Sequence, residues 1–257
     1  LYGSSKVNHN IDPSVFNQRS FNMGLNRRSI ACASALIKLL PKDKPQLVLL
    51  QLDYLDIFSQ EYSGEDVLAL TPKYHRDKII HNEINKARPN SVLRDFFWSQ
   101  DYNGFISSII KNVISPNYDY TTFTGYDPIY LNEAQKNVSK QALAKSYDTN
   151  CEDLLVVNER YWIYILEIVD FCEENNKELI IFSAPTFSDH CKNDNVTVDS
   201  LLNEINVSFV DFSDCFTENN RIDYWKDHGH LTAEGADVFS LIFRNEIIEV
   251  QSSSVTK

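Results

Sequence analysis

The stretch Gln46–Asp53, Q-L-V-L-L-Q-L-D, is a nearly unbroken apolar run of strand length, and no other segment constrains the fold as strongly. A strand that is apolar on both faces must be covered on both, a condition met by parallel sheets with helices above and below. The flanking segments fit. Ile11-Asp12-Pro13 reads as a turn, Ser20–Leu25 as a short strand, and Ile30–Leu40 as a helix that Ser29 can cap and Pro41 stops. Further along, Asn158–Asn176 reads as a helix with Trp162, Ile165, Leu166, Val169 and Cys172 on one buried face. Glu178–Ala184 follows as a strand ended by Pro185, then Val198–Ile205 as a helix and Val207–Phe212 as a strand. The last helix spans about Ala233–Ile248, with Thr232 as cap, Glu234 in its first turn and a stripe of Val238, Phe239, Ile242, Phe243 and Ile247. Gln251–Lys257 reads as a frayed tail. Alternation of this kind predicts an α/β fold with an open parallel sheet.

Between about Ile57 and Val156 the alternation stops. This stretch reads as an insertion of helices and loops within a single domain spanning 1–257, rich in aromatic residues: Tyr62, Tyr74, Phe96, Phe97, Trp98, Tyr102, Phe105, Tyr118, Tyr120, Phe123, Tyr126 and Tyr130. Most are expected to form the insertion's own core. A few, between Tyr118 and Tyr130, are placed to line a carbohydrate groove, because flat amphipathic rings offer an apolar face and a polar edge.

A formal charge of −12 with 43% hydrophobic residues describes an acidic chain with a sizeable core. Such a surface does not attract nucleic acid or anionic lipid, and neutral partners such as sugars fit better. With seven glycines and neither a G-x-G-x-x-G nor a G-x-x-x-x-G-K pattern, no phosphate-cradling loop is present. The five cysteines, Cys32, Cys151, Cys172, Cys191 and Cys215, show neither C-x-x-C nor zinc spacing, and their odd number leaves one thiol free in a monomer. Sequons at Asn137, Asn195 and Asn206 matter only in a eukaryotic secretory pathway. No apolar run approaches the roughly 20 residues of a membrane span. Only Leu1 and Tyr2 stand before Gly3-Ser4-Ser5, so a natural chain continuing upstream through an anchor or signal is expected.

The chemistry concentrates at the two ends of the sequence. In Asp223–Gly235, D-Y-W-K-D-H-G-H-L-T-A-E-G, Asp227 and His230 stand three apart just before a helix start. That spacing lets a carboxylate hold one imidazole nitrogen and leaves the other free to accept a proton. A serine hydroxyl needs such a base to become nucleophilic, and the imidazole needs the carboxylate to fix its tautomer. Ser5 is the candidate nucleophile. Ser5, Gly24, Asp53 and the Asp227/His230 loop all follow predicted strands, the edge at which open α/β sheets bind ligands.

The order G-S-S near the start, N-x-G at Asn22–Gly24, a strand running into D-Y-L-D, and D-x-x-H before the last helix resembles the SGNH (GDSL-like) hydrolase superfamily. Within it, the G-S-S opening is similar to the branch holding D-alanyl transfer proteins and, more distantly, exopolysaccharide O-acetyltransferases. The resemblance covers about Leu1–Asp56 and Glu178–Ile248. It implies a three-layer α/β/α, flavodoxin-like sheet and a Ser5–His230–Asp227 triad. It also implies an oxyanion hole from the N–H groups of Ser5 and Gly24, no cofactor, and an acyl donor with a carbohydrate or glycopolymer as partners. Tyr54, Tyr126 and Arg28 become substrate-binding candidates, and the location implied is outside a bacterial cytoplasmic membrane; the free cysteine leaves a cytoplasmic one open.

One departure stands out. The family's third block carries an Asn that donates into the oxyanion hole, whereas Leu55 occupies that place in Asp53-Tyr54-Leu55-Asp56, so a donor is lost or borrowed from Asn22, Asn26 or the insertion. Ester hydrolysis, transfer to a sugar hydroxyl, and a catalytically inactive module that binds glycan or a partner protein therefore all remain open. His228 is a rival base expected to face solvent, and Asp227, His228, His230 and His190 could instead suit a metal. Lys6, Arg27 and Arg28 could hold an anionic group or lie solvated at the surface.

Overall fold

The computed structural model describes residues 1–16, 19–88, 106–116, 118–119, 121–145, 155–188, 192–219 and 221–254. In chain order its elements are α1 (Ser5–Asn10), α2 (Ile30–Ile37), β1 (Gln46–Leu52) and the single turn α3 (Tyr54–Ile57). A 3-10 segment (Glu65–Lys73), α4 (Lys78–Ala87), α5 (Ile106–Ile114) and α6 (Glu133–Leu143) follow. Then come α7 (Glu159–Glu174), β2 (Lys177–Ser183), α8 (Lys192–Glu204), β3 (Ser208–Val210) and α9 (Ala233–Ser254).

The fold is α/β, with a three-stranded parallel sheet in the order β1-β2-β3 flanked by helices. Gln46 pairs with Lys177 through to Leu52 with Ser183, and Ile180 with Ser208 through to Phe182 with Val210. The alternation along β1 sorts two cores. Val48, Leu50 and Leu52 join a cluster with Ile30, Ala33 and Ile37 of α2 and Tyr161, Ile165 and Ile168 of α7. Leu49 joins the other, with Val7 of α1, Ile180 and Phe182 of β2, and Phe239, Phe243 and Ile247 of α9. Each face of the sheet therefore carries its own helices, which is why β1 reads as apolar throughout.

Beyond β1 the chain start continues the sheet. Tyr2 N donates to Leu49 O at 2.8 Å and Gln51 N to Tyr2 O at 2.9 Å. On the far side of this stub the Leu1 nitrogen donates to Phe21 O at 2.9 Å. Met23 N then donates to Leu1 O at 2.8 Å and Leu25 N to Gly3 O at 3.0 Å, a staggered, parallel run of bonds.

Several boundaries differ from the sequence reading. Ser20–Leu25 forms no regular strand, because its partner on one edge is only three residues long; on the other edge Asn22 N donates to Thr124 O at 2.8 Å. Ser29 sits at the start of α2 without capping it; the Asp66 carboxylate does so, accepting from Ser29 N and Cys32 N, each at 2.9 Å. The helix ends at Ile37 rather than Leu40. On α7 Leu166 is exposed, and the buried face is instead Tyr161, Tyr164, Ile165, Ile168, Val169 and Cys172. The helix predicted at Val198–Ile205 starts earlier, at Lys192, and β3 is shorter than predicted. The last helix runs on to Ser254, so Gln251–Ser254 are helical rather than frayed, with Ser252 and Ser253 hydroxyls donating to Glu249 O at 3.0 and 2.9 Å.

Within 57–156 the described elements are helical. The two ends of this stretch meet: Asn158 N donates to Ile57 O at 2.7 Å, and Asn158 Nδ2 to Ser59 O at 2.8 Å and Tyr62 O at 3.2 Å. Tyr74 is fully buried, and Tyr118 stacks on Phe123 with centroids 4.1 Å apart. Phe96, Phe97, Trp98, Tyr102, Phe105 and Tyr120 lie outside the described residues.

Candidate functional site

The site is built around the short turn from the chain start into α1. A Cβ at Gly3 would lie 2.6 Å from Val7 Cγ2 and 2.8 Å from Gln51 Cβ, so only glycine fits where the stub bends into the helix. Ser4 caps α1, its hydroxyl accepting from Lys6 N at 3.3 Å while donating to Gln51 Oε1 at 2.9 Å. Ser4 N donates to the same Gln51 oxygen at 3.0 Å. A buried glutamine in the apolar run of β1 thus fixes the start of the helix. Ser5 follows as its first residue, and its N–H is among the first-turn amides that no helix carbonyl accepts.

The other half arrives on the loop before α9. Asp227 Oδ1 accepts from Gly229 N at 3.0 Å and His230 N at 2.9 Å, closing a tight turn with the carboxylate inside it. That turn brings His230 Nδ1 to 2.8 Å from Asp227 Oδ1 and 3.1 Å from Oδ2. His230 Nε2 lies 2.8 Å from Ser5 Oγ, across 225 positions of sequence. Burial alone would raise the Asp227 pKa. The His230 ring hydrogen bond, the Gly229 and His230 amides and the His230 charge outweigh it and hold the carboxyl at about 2. The carboxylate is ionised and lies against Nδ1, which leaves Nε2 facing the Ser5 hydroxyl, the arrangement in which Nε2 can take the Ser5 proton.

Three buried or half-buried side chains hold this arrangement: Asn10 and His9, which the sequence reading missed, and Asn22, which it named only as a possible oxyanion donor. Asn10, fully buried at the end of α1, donates from Nδ2 to Gly229 O at 3.1 Å and accepts from Leu231 N at 2.9 Å. Asn22 donates from Nδ2 to Val7 O at 2.7 Å and Ile11 O at 2.8 Å, tying down the C-terminal turn of α1. His9 Nδ1 sits 2.6 Å from Asp127 O, with its ring edge-on to His230 at 5.9 Å. Asn is common in loops and turns, and nothing in the string of letters marks these residues as buried.

The Gly24 N–H, predicted as an oxyanion donor, donates instead to Asn22 Oδ1 at 2.9 Å. Asn22 spends its own amide on α1, and Asn26 is exposed, so neither loop asparagine is placed as the replacement donor. Leu55 lies in α3, and its side chain is outside the described set.

A cleft of about 460 Å³ opens beside the nucleophile, lined by Ser4, Ser5, Lys6, Arg27, Arg28 and Asp53 together with Asp56, Ser59, Tyr62, Ser63 and Asp66. Lys6 Nζ lies 3.6 Å from Asp53 Oδ2. Burial pushes the Asp56 carboxyl up, with Asp53 and Asp66 adding to it and the Ser29 hydroxyl and Lys6 opposing. Arg28 thus lines the cleft, as do Lys6 and Arg27. Tyr54 and Tyr126 do not: Tyr54 packs on the core beneath α2 and α7, Tyr126 on the core beneath α9. Tyr130 is 77% exposed and borders a separate hollow of about 410 Å³ with Lys136, Lys140, Asp223 and Glu234.

His228 is half-buried rather than solvent-facing, its ring 5.7 Å from Phe187, whose N–H its carbonyl accepts at 2.9 Å. Among the described residues no group of three or more His, Cys, Asp or Glu is placed to hold a metal ion, and His190 lies outside them. No helix among them is long and apolar enough to cross a membrane. Comparison with family models, with curated proteins and with solved structures finds no match to this chain.

Proposed function

We propose that this chain is a serine-dependent acyl-ester hydrolase or O-acyltransferase of the SGNH type, acting on a carbohydrate or cell-envelope glycopolymer. The observation that carries the reading is the continuous relay from Ser5 Oγ through His230 to Asp227, at 2.8 Å on each side of the ring. A serine, a histidine and an aspartate with ordinary structural duties have no reason to align in that order beside a cleft. Ser5 Oγ attacks the acyl carbonyl while His230 Nε2 takes its proton, and Asp227 stabilises the imidazolium. The tetrahedral intermediate collapses as the leaving oxygen takes that proton, which leaves an acyl-Ser5 ester. Water or a sugar hydroxyl, deprotonated by His230, then releases the acyl group.

The sheet supports the family reading. Residues 21–25 hydrogen-bond to the stub 1–3, the stub to β1, and β1 is followed by β2 and β3, a succession compatible with the flavodoxin-like order 2-1-3-4-5. The Ser5 N–H is the oxyanion donor this reading retains, and Lys6, Arg27 and Arg28 line the same cleft as cationic groups. The carbohydrate substrate rests on the resemblance and on the acidic charge, and a location outside a bacterial cytoplasmic membrane on the resemblance.

The test is intact-mass analysis after exposure to a fluorophosphonate, with peptide mapping and a Ser5→Ala control. A single adduct on Ser5, absent from the folded variant, is the expected result, followed by acyl release from acetylated glycans. Folded protein that takes no adduct would instead indicate the inactive module that binds glycan or a partner protein.

A further inference from the structure

We infer that Asn10 is a positioning residue for the serine chemistry, holding His230 at the distance from Ser5 that proton transfer requires; the inference rests on the reading of Ser5 and His230 as nucleophile and base. Asn10 is fully buried, and both ends of its amide are used on the two residues that flank His230. Nδ2 donates to Gly229 O at 3.1 Å and Oδ1 accepts from Leu231 N at 2.9 Å. A side-chain amide that donates before a residue and accepts after it acts as a neighbouring strand would, fixing the main chain of that residue in both position and direction.

The same six-residue helix carries Ser5 at its first position and Asn10 at its last. α1 therefore touches His230 at both ends, through the ring at Ser5 and through the main chain at Asn10. Nothing else on α1 reaches the peptide groups on both sides of His230. On the opposite side the His230 carbonyl accepts from Lys226 N at 2.9 Å, which holds the base within its own loop but does not relate it to α1. Asn22 grips the Val7 and Ile11 carbonyls at 2.7 and 2.8 Å, so the end of the helix from which Asn10 projects is itself fixed. Without Asn10, the hydroxyl–imidazole contact is the one hydrogen bond left between α1 and His230 or the peptide groups that flank it. That contact is exchanged during the reaction and cannot also serve as the scaffold.

The experiment uses Asn10→Ala and the isosteric Asn10→Asp, which keeps the acceptor for Leu231 N and loses the donor to Gly229 O. Fluorophosphonate kinetics separate probe affinity from the rate of covalent labelling per folded molecule. Proton NMR follows the downfield resonance of the His230 Nδ1–H, assigned by its absence from His230→Gln. The labelling rate is expected to fall on the order of 10- to 100-fold in Asn10→Ala, and less in Asn10→Asp, at little-changed probe affinity. The downfield resonance is expected to broaden or vanish in Asn10→Ala. Wild-type labelling rates with an intact resonance in either folded variant would overturn the inference, since a purely structural asparagine lowers stability without moving them. Should Asn10→Ala not fold, Asn10→Asp decides. If wild-type protein takes no label, the serine reading fails by itself, and the resonance still reports whether Asn10 holds the ring.

Discussion

Asp227 holds His230 twice, through the ring Nδ1 at 2.8 Å and through the main-chain nitrogen at 2.9 Å, both on the same carboxylate oxygen. One atom therefore shapes the turn and orients the base. Asp227→Asn can keep the main-chain contacts, because an amide oxygen also accepts. Its NH₂ group competes for the ring and favours the tautomer in which Nε2 is protonated and cannot take the Ser5 proton. The expected result is a folded protein whose Ser5 labelling rate falls on the order of 10⁴-fold. Circular dichroism and labelling kinetics, taken together, check it.

The same variant predicts a pH signature. The Asp227 carboxyl is held at about 2 when folded, below the roughly 3.9 of an unfolded chain. Its contribution to stability is therefore present above about pH 4 and lost as the pH falls through about 2. At 40% side-chain exposure, screening keeps that contribution small. The difference in Tm between wild type and Asp227→Asn is expected to shrink below about pH 4 and to close near 2.

The legible parts of this molecule were those that local pattern controls. The apolar run of β1, the periodicities of α7 and α9 and the D-x-x-H turn each depend on residues within a few positions of one another. Ser5 was legible only as the partner that His230 lacked. What sequence could not show depends on contacts across the chain: Asp66 rather than Ser29 caps α2 from the insertion, Gln51 turns a strand residue toward Ser4, and Asn10 and Asn22 brace α1. Gly24 misled because a glycine in N-x-G suits an oxyanion loop, while the asparagine two residues before it takes the N–H. Tyr54 and Tyr126 misled because an aromatic ring has the same letter in a core as in a groove.

The cysteines offer a separate check. Burial pushes the thiols of Cys32, Cys172 and Cys215 each up to about 12, with Asp66 adding to the effect at Cys32 and Lys177 opposing it at Cys172. Thiolate is the reactive form, so at pH 8 these side chains are nearly inert as nucleophiles. Iodoacetamide is expected to modify all three at least about 100-fold more slowly in native protein than in urea, as read by peptide mapping.

Charge adds to the apolar packing that fastens the insertion to the framework. Lys38 of α2 lies 2.9 Å from Glu83 of α4 and 2.5 Å from Glu167 of α7, and Lys86 lies 3.0 Å from both carboxylates. Glu83 is 4% exposed, so Lys38→Met leaves a buried carboxylate facing only the half-exposed Lys86. The expected loss is about 2 kcal/mol, below the cost of stripping a buried charge of every partner. Lys86→Met is expected to cost under about 1 kcal/mol. Urea denaturation distinguishes them. Neither substitution touches α1, so the Ser5 labelling rate per folded molecule should stay at the wild-type value.

Gly125 should behave differently, because its strain falls on the braces of the site. Its φ is +85°, and a Cβ there would lie 1.9 Å from Asn22 O, a main-chain atom that cannot swing aside. The surrounding residues hold α1 directly: Asn8 Nδ2 donates to Gly125 O at 3.0 Å, Asp127 N to Asn8 O at 3.0 Å, and Asn22 N to Thr124 O at 2.8 Å. Gly125→Ala must therefore adopt a left-handed backbone costing about 1–2 kcal/mol and also displace Asn22, for a total expected loss above about 2 kcal/mol. Displacing Asn22 frees the end of α1 that it grips, and with it the helix that carries Ser5. At matched loss of stability, Gly125→Ala should slow Ser5 labelling per folded molecule where Lys38→Met does not. Equal labelling rates in the two variants would show that the 124–127 segment stabilises the fold without bearing on the Ser5–His230 geometry.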